Sequence, residues 1–158
     1  MENPIKIVPY SPKLKQYFYD INEEWISSMF TMEDVDETVL SDPETHILST
    51  GGKIWFAEHP QLGIIGTCAL RKTGEDEFEL TKMGVFKKAR GLKVGEILLQ
   101  FVITYVRENN ISHCYLLTNS SCEAAIHLYL KNGFNHDAAI MERFGKIYER
   151  CDVAMKLN

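Results

Sequence analysis

The stretch VFKKARGLKVGEILL, residues 85–99, runs from an apolar, strand-like segment through a basic turn with two glycines into an amphipathic helix. The first turn of a helix presents unpaired N–H groups and the positive end of the helix dipole, and both favour a phosphate. A phosphate-binding loop often has glycine where Lys93 stands here, because glycine tolerates positive φ and close approach. The stretch alone is therefore equally consistent with an anion-binding loop and with a solvated basic turn.

The composition is that of a globular protein rather than a disordered or fibrous one. Of the 158 residues, 45% are hydrophobic and 25% are charged, so we expect a single domain over residues 1–158. The net charge of −5 argues against a dedicated nucleic-acid-binding protein. No segment approaches the roughly 20 apolar residues of a membrane helix, and the N-terminus has no apolar run of signal-peptide type. We therefore expect a cytoplasmic protein that binds neither nucleic acid nor a membrane.

The cysteines and histidines give no sign of a metal site. The four cysteines are scattered without a CxxC pair, and the five histidines lack spacings such as HxxxH or HExxH. In a chain of this kind we expect the thiols to be reduced and mostly to be small core residues. The sequence therefore predicts no bound metal.

Hydrophobic periodicity predicts the element order β-α-α-β-β-β-α-β-α-β-β. The predicted strands cover residues 5–8, 53–58, 64–70, 78–85, 113–118, 134–141 and 147–157. The predicted helices start at Ser11-Pro12, at about residue 33, after Gly91 and at Ser121. The strand-helix-strand unit around residues 80–118 implies one parallel pair within a mixed sheet. We therefore expect an α/β protein of the mixed α+β type.

Several segments, in this order, resemble the GNAT superfamily of N-acetyltransferases, which transfer an acetyl group from acetyl-CoA to an amine. Arg90 to Gly95 resembles the family's pyrophosphate loop, [RQ]-x-x-G-x-[GA], except that Lys93 replaces the glycine. Residues 79–85, ELTKMGV, resemble its fourth strand, residues 125–134, AIHLYLKNGF, its A-x-x-x-Y-x-x-x-G-F signature, and residues 152–157 its terminal strand. The resemblance covers nearly the whole chain. It implies a GNAT-like fold, with a central, mostly antiparallel mixed sheet of about seven strands flanked by about four helices.

The resemblance also implies that acetyl-CoA is the cosubstrate. Backbone amides of about Leu92 to Glu96 would hold its pyrophosphate, and the backbone of Met83 to Val85 would pair with its pantetheine arm. The Val85 region would also polarise the thioester carbonyl. Lys93 can still donate its N–H, provided that its backbone has the ordinary right-handed conformation. The expected cofactor-binding residues are Met83, Gly84, Val85, Arg90, Gly91, Leu92, Lys93, Val94, Gly95, Glu96 and Asn119.

Two residues match catalytic positions of the family. Glu79 matches a general base that takes a proton from the amine, and its alternative is a polar residue in an amphipathic strand. Tyr129 matches the usual general acid, which returns a proton to the CoA thiolate, and its alternative is a core aromatic. Asn119 is either a contact to cofactor or acceptor or a simple turn residue. Cys122, where the family often has Asn, is interpreted as a small, partly buried residue.

The acceptor side is less well defined by the sequence. In the family it is built by the first two helices and the last hairpin, which gives Trp25, Met29 and Phe30 as expected substrate-binding residues. The acidic residues between positions 33 and 37 either attract a cationic amine or simply begin a helix. Peptide N-termini, lysine side chains, polyamines and aminoglycosides all stay open as acceptors, as does a homodimer. The sequence thus predicts an N-acetyltransferase whose primary-amine acceptor attacks directly, with a non-catalytic acyl-CoA-binding module as the alternative.

Overall fold

One seven-stranded sheet organises the chain, of which the computed structural model describes residues 4–158. The strands are β1 Lys6–Pro9, β2 Lys53–His59, β3 Gly63–Gly74, β4 Glu77–Val85, β5 His113–Thr118, β6 Phe134–His136 and β7 Val153–Leu157. Their order across the sheet is β1-β2-β3-β4-β5-β7-β6. β4 and β5 run parallel, whereas every other neighbouring pair is antiparallel. The predicted mixed, mostly antiparallel sheet with one parallel pair is therefore confirmed.

Helices cover both faces of this sheet. They are α1 Lys15–Met29, α2 Asp34–Ser41, α3 Val94–Glu108, α4 Glu123–Lys131 and α5 Ala138–Phe144, with short helical turns at Pro12–Leu14, Glu44–Leu48 and Lys87–Ala89. Leu98 and Val102 of α3 pack in a buried cluster with Ile65 and Leu80 on one face. Phe18 of α1 joins a second cluster on the other face. Within residues 4–158, none of the helices combines the length and the apolar composition needed to cross a bilayer.

The structure differs from the predicted strands in the region after α4. The sequence pattern predicts one strand over residues 134–141, but β6 ends at His136 and α5 follows. Asp137 caps this helix, because its Oδ1 accepts a hydrogen bond from the Ile140 N–H at 2.9 Å. The last strand accordingly begins at Val153 rather than at residue 147. The predicted antiparallel pairing of the last two strands is nevertheless present, with Phe134 opposite Leu157.

An extra residue in β4 changes which face its side chains occupy. Thr67 and Ala69 of β3 pair with Gly84 and Thr81, so one residue of β3 stands opposite two residues of β4. Such a bulge shifts the alternation of the strand by one position. Lys82 lies in this bulge with a left-handed φ of 52°. Its side chain consequently faces α2 on the side of Thr81, instead of entering the apolar cluster under α3.

β4 and β5 pair over only part of their length and then separate. Their register runs from Glu77 opposite His113 to Leu80 opposite Leu116 and ends there. β4 continues to Val85 along β3, whereas the end of β5 continues along β7. The edge of β4 that faces β5 is therefore left without a strand partner over residues 81–85, and a gap opens between the two strands.

Candidate active site

A cavity lies in the gap between β4 and β5. Its walls are formed by Trp25 and Phe30 at the end of α1, Leu80 to Met83 of β4, Leu116 to Asn119 of β5 and its following turn, Cys122 and Tyr129 of α4, and Tyr148, Arg150 and Cys151 before β7. The residues come from separate parts of the chain and meet only because the two parallel strands diverge. Of the predicted cofactor-binding residues, Met83 and Asn119 line this cavity, whereas Gly84, Val85 and the loop at residues 90–96 do not.

Backbone hydrogen bonds within the loop stabilise the first half of the segment that precedes α3. Ala89, Arg90 and Leu92 donate their N–H groups to the carbonyls three residues earlier, at 2.9, 3.1 and 3.3 Å. The Leu92 amide, predicted to bind pyrophosphate, is therefore already engaged in the turn. Lys87 donates its N–H to Glu24 Oε1 at 2.8 Å, which ties the loop to α1.

The amides that follow this loop are available to an anion. α3 begins at Val94, and its first backbone bond runs from the Ile97 N–H to the Lys93 carbonyl at 3.1 Å. The N–H groups of residues 94–96 have no acceptor in the described part of the chain, as expected for the first turn of a helix. Three amides and the positive end of a 15-residue helix thus meet at one point.

Lys93 has a left-handed backbone, so the right-handed conformation that was the condition for its predicted N–H donation is not the one observed. It is the N-cap residue of α3, with φ 60° and ψ 29°. Gly91, two residues earlier, also has a positive φ of 88°. A lysine pays a steric cost in this region that glycine does not. Lys93 thus adopts a backbone conformation that glycine would adopt without this steric cost.

The start of α3 also leaves room beside its backbone. A Cβ placed on Gly95 would find no heavy atom within 4 Å outside its own helix turn and chain neighbours. Glu96, the acid in this first turn, forms an ion pair with Lys131 of α4, with 2.9 Å between Nζ and Oε2. The hydrogen bond to Lys131 lowers the pKa of the Glu96 carboxyl. Its negative charge is thus balanced next to the proposed phosphate site.

Tyr129 stands in the cavity wall and is 9% exposed. Its ring packs against Phe134, with 5.9 Å between ring centroids. Burial raises the pKa of the Tyr129 phenol above its ordinary value, and Cys122 adds to this effect. The hydroxyl has no hydrogen-bond partner among residues 4–158. It is therefore a protonated donor that faces a cavity with its hydrogen bond unused.

Glu79 lies deeper than the cavity. It is 1% exposed, and its Oε1 accepts hydrogen bonds from Arg71 Nε at 3.1 Å and Nη2 at 2.9 Å. Burial raises the pKa of the Glu79 carboxyl, while the charge of Arg71 opposes the rise. Glu79 is not among the cavity-lining residues of the described chain. A raised pKa suits a base, and the ion pair with Arg71 engages one of the two carboxylate oxygens, Oε1.

Asn119 lines the cavity, but its side-chain amide is used for folding. Its Nδ2 donates to the Arg150 carbonyl at 2.7 Å, and its Oδ1 accepts from the Ser121 N–H at 2.8 Å. These bonds hold the turn after β5 against the segment that precedes β7. Cys122 is partly buried and borders the same cavity. The geometry of Asn119 matches the turn-residue alternative better than a ligand contact.

Of the three predicted acceptor residues, two reach the cavity. Trp25 and Phe30 border it, whereas Met29 is 49% exposed and does not. The Trp25 indole rests on Gly84: a Cβ there would lie 2.4 Å from Trp25 Cδ1. Gly84 thus allows the aromatic wall to approach β4 closely, which no larger residue would permit.

A buried ionic cluster, which we call the Asp36 cluster, lies beside the cavity and contributes Lys82, Tyr148 and Arg150 to its wall. It consists of Asp36, Glu33, Lys82, Arg150 and Tyr148. Asp36 is fully buried and accepts from Lys82 Nζ at 2.7 Å and from Arg150 Nη1 and Nη2 at 2.6 and 2.8 Å. Burial opposes ionisation of Asp36, but the hydrogen bonds from Arg150 and Lys82 outweigh it and hold the pKa of the carboxyl below its ordinary value.

The other members of the Asp36 cluster pair with one another and with the start of α2. Glu33 accepts from Arg150 Nη1 at 3.1 Å and forms the N-terminal capping box of α2 together with Asp36. Lys82 Nζ lies 3.3 Å from the Tyr148 hydroxyl and 4.7 Å from the centre of its ring. Both acids are therefore already paired with cations and helix N–H groups. They do not offer the free negative field that the sequence left open as an attraction for a cationic amine.

Comparison with known proteins assigns the family. Residues 13–134 match the family model described as the acetyltransferase (GNAT) family. The chain belongs to the GNAT acetyltransferase family. It is 29% identical over 110 residues to the probable N-acetyltransferase camello of Xenopus laevis, a match that covers 68% of this chain and 50% of that protein. The chain spans about half the length of the curated relatives it matches.

Solved structures of GNAT proteins share the fold. A GNAT family acetyltransferase from Staphylococcus aureus Mu50 superposes with a TM-score of 0.85 and 27% identity over 98% of both chains. The PaiA N-acetyltransferase of Thermoplasma acidophilum, solved in complex with coenzyme A, gives a TM-score of 0.70 and 16% identity over 100% of this chain and 99% of that one. Membership of the GNAT family implies acyl transfer from an acyl-CoA. The unpaired edge of β4, the free amides of α3 and the open space at Gly95 are compatible with such a ligand.

The sequence-based interpretation of this GNAT site missed Lys82 and Arg150. Lys82 sits in a strand pattern that ordinary alternation would place on the face of Leu80, and the bulge that turns it carries no recognisable sequence signal. Arg150 lies in a segment that was predicted to be strand. Asp36 is the N3 residue of the capping box that begins α2, and its burial between two cations is a tertiary feature that the sequence did not reveal.

Replacement of Lys93 by glycine should stabilise the protein. Glycine adopts the left-handed conformation without steric cost, so we expect Lys93→Gly to raise the free energy of unfolding by about 0.5–1 kcal/mol. Lys93→Ala keeps the unfavourable conformation and should change the free energy little. Urea denaturation of the three proteins measures this, and a glycine variant no more stable than the alanine variant would contradict a left-handed Lys93.

Removal of the Asp36 charge should be costly. We expect Asp36→Asn to lower the free energy of unfolding by about 3–5 kcal/mol at pH 7, because it leaves Lys82 and Arg150 buried without their shared anion. Asp34→Asn, in the same helix turn but exposed, should lose about 0.3–1 kcal/mol.

The difference between the wild type and Asp36→Asn should also depend on pH. A carboxyl whose pKa is lowered by folding stabilises the protein above its unfolded pKa of about 3.9, and this stabilisation is lost as the pH falls through the lower folded pKa. The difference should therefore be constant from neutral pH down to about 5 and shrink below pH 4. Denaturation at a series of pH values measures it, and equal losses for the Asp36 and Asp34 variants would argue against the Asp36 cluster.

Proposed function

We propose that this chain is an acetyl-CoA-dependent N-acetyltransferase that acetylates a primary amine by direct attack. The observation that carries the proposal is the cavity between the diverging β4 and β5, with the Tyr129 hydroxyl in its wall. Family membership gives acyl transfer from an acyl-CoA. The acetyl donor, the amine acceptor and the roles of individual residues are the proposed part.

The chain offers a place for each part of the donor. The N–H groups of residues 94–96 would bind the pyrophosphate, with Arg90 and Lys93 adding positive charge at the loop surface. The unpaired edge of β4 over residues 81–85, which includes Met83, Gly84 and Val85, would pair with the pantetheine amides as a strand would. Acetyl-CoA supplies the acetyl group as a thioester.

The reaction requires a proton donor and a proton acceptor. A bond forms between the amine nitrogen and the acetyl carbon while the bond from carbon to CoA sulfur breaks. The nitrogen loses one proton and the sulfur gains one. Tyr129 is the proposed donor, because its hydroxyl faces the cavity, is protonated at any physiological pH and has its hydrogen bond free.

The position of Glu79 supports its proposed role as base only in part. Burial gives it the raised pKa that proton abstraction at neutral pH favours. Its carboxylate, however, is held by Arg71 and stands behind the cavity wall. An exchange of protons with the amine would need to pass through water rather than direct contact.

A non-catalytic acyl-CoA-binding module is the second candidate. It was motivated by Lys93 and Cys122, which depart from the family pattern. Lys93 has the left-handed conformation that glycine favours, so this departure is compatible with a phosphate-binding loop. Binding of CoA without turnover over a broad panel of amines would favour the module over the enzyme.

Replacement of Gly95 should separate stability from donor binding. Alanine is the better helix former and meets no neighbour here, so Gly95→Ala should raise the stability of the free protein by up to about 1 kcal/mol. Its methyl group should occupy the space beside the free amides and weaken acetyl-CoA binding about tenfold or more in calorimetric titration. Gln100→Ala, on the exposed side of the same helix, is the control and should bind normally.

Two results of that titration would contradict the donor site. No heat and no thermal stabilisation of the wild type by acetyl-CoA would remove the proposed function. Normal affinity of Gly95→Ala would place the pyrophosphate elsewhere and leave the function itself standing.

Removal of the Tyr129 hydroxyl should affect chemistry rather than binding. Phenylalanine preserves the ring that packs on Phe134, so Tyr129→Phe should fold normally and bind acetyl-CoA as the wild type does. Without the donor, kcat should fall about 100-fold. Steady-state measurement of CoA release with an accepted amine tests this, and an unchanged kcat would exclude Tyr129 as the acid.

A further inference from the structure

Arg150 has one edge of its guanidinium group free. Asp36 accepts hydrogen bonds from Nη1 and Nη2 at the end of the guanidinium group, and Glu33 accepts one from the other hydrogen of Nη1. The Nε–H and the second hydrogen of Nη2 have no acceptor among residues 4–158. These two N–H groups lie side by side on one edge of the planar group. This is the geometry with which arginine binds a carboxylate through two parallel hydrogen bonds.

The guanidinium plane is fixed before any ligand arrives. Its central carbon, Cζ, lies 4.9 Å from the centre of the Tyr148 ring and 5.9 Å from the centre of the Phe30 ring. The Arg150 side chain is 15% exposed and borders the cavity. Because Asp36 and two aromatic rings hold it, little side-chain entropy is lost when a second carboxylate binds.

Lys82 adds a second cation to the same wall. Its Nζ donates to Asp36 and to the Tyr148 hydroxyl, which leaves one of its three N–H groups without an acceptor in the described chain. Asp36 and Glu33, which balance the two cations, do not line the cavity. Among residues 4–158, the charged side chains that line it are Lys82 and Arg150, and both are positive.

A cavity with this wall discriminates between acceptors by hydrogen bonding. The unused N–H groups of Arg150 and Lys82 can donate to a carboxylate, whereas a second ammonium group has only donors and cannot accept from them. Trp25, Phe30 and Tyr148 provide an aromatic surface in the same cavity for an apolar side chain. Polyamines and aminoglycosides, which carry several ammonium groups and no carboxylate, fit such a wall poorly.

We propose that the acceptor is an α-amino acid with an apolar side chain, and that the free edge of Arg150, together with Lys82, binds its carboxylate. This inference rests on the proposed N-acetyltransferase function and adds the class of substrate. It assigns Arg150 the role of a specificity-determining residue, while Tyr129 stays with the chemistry.

Matched pairs of amines test the inference. Phenylalanine, tryptophan and leucine are compared with their decarboxylated counterparts, phenethylamine, tryptamine and isoamylamine, and with spermidine. CoA release gives kcat/KM for each. At least one amino acid should exceed its counterpart by about tenfold or more, as expected for hydrogen bonds to a charged group. If no pair favours the carboxylate, or if spermidine is the best acceptor, the inference is overturned and the proposed function stands.

Variants connect the selectivity to Arg150. Arg150→Lys keeps the positive charge and loses the free edge, so the ratio between amino acid and counterpart should fall towards one, mainly through KM. Arg143→Lys, in an exposed ion pair with Glu77 outside this cavity, is the matched control and should keep the wild-type ratio. An unchanged ratio in a folded Arg150→Lys protein would overturn the assignment.

A binding experiment without acetyl-CoA makes the two failures distinguishable. Thermal stabilisation of the free wild type by the amino acids, but not by their counterparts, should be seen and should weaken in Arg150→Lys. If this holds while acetyl-CoA does not bind, the carboxylate site is supported and the acetyltransferase proposal fails. If neither ligand binds, both fail. The wild-type measurements decide the matter even where Arg150→Lys does not fold.

Discussion

The single extra residue in β4 is the constraint on which the site depends. β4 must pair with β3 along its whole length, yet it must also expose backbone to a ligand and direct Lys82 towards α2. A regular strand could not do so, because alternation would bury Lys82 under α3 among Leu98 and Val102. The extra residue at the bulge shifts by one position which face of the sheet the side chains of β4 occupy. The left-handed conformation of Lys82 is unfavourable by itself, but it places a cation in the cavity wall.

The Asp36 cluster joins parts of the chain that are far apart in sequence. Its acid comes from α2, one cation from β4 and the other from the segment before β7. An isolated buried carboxylate would be expensive, but two cations and the capping hydrogen bond of Glu33 satisfy its oxygens. Burial of this kind contributes little net stability compared with apolar packing. It fixes the positions of Lys82 and Arg150 in the cavity wall instead.

The sequence predicted those parts of the site that depend on local signals. The turn before α3 and the position of Tyr129 on α4 follow from periodicity and motif. Each lies within a single strand-helix unit, β4–α3 for the turn and β5–α4 for Tyr129. The sequence left the Lys93 conformation open, because a non-glycine residue rarely adopts positive φ and no local signal shows that it does so here. Lys82 and Arg150 could not be found, because their roles arise from a bulge and from contacts with Asp36 that are 46 and 114 residues distant. The helix α5 is an intermediate case. Asp137 as a cap and the two alanines after it favour a helix, but the apolar pattern of residues 134–141 favoured a strand in the prediction.

The cavity wall also bears on how the acceptor would lose its proton. No carboxylate or imidazole lines the cavity within the described chain, and Arg71 holds Oε1 of Glu79. Lys82 and Arg150 are themselves paired with Asp36 and Glu33, so the wall offers N–H donors but no net positive field that would shift the pKa of a bound ammonium group. The donors proposed to select a carboxylate therefore leave the amine to lose its proton to water, or to Glu79 through water, and Tyr129 is the proposed proton donor to the CoA sulfur.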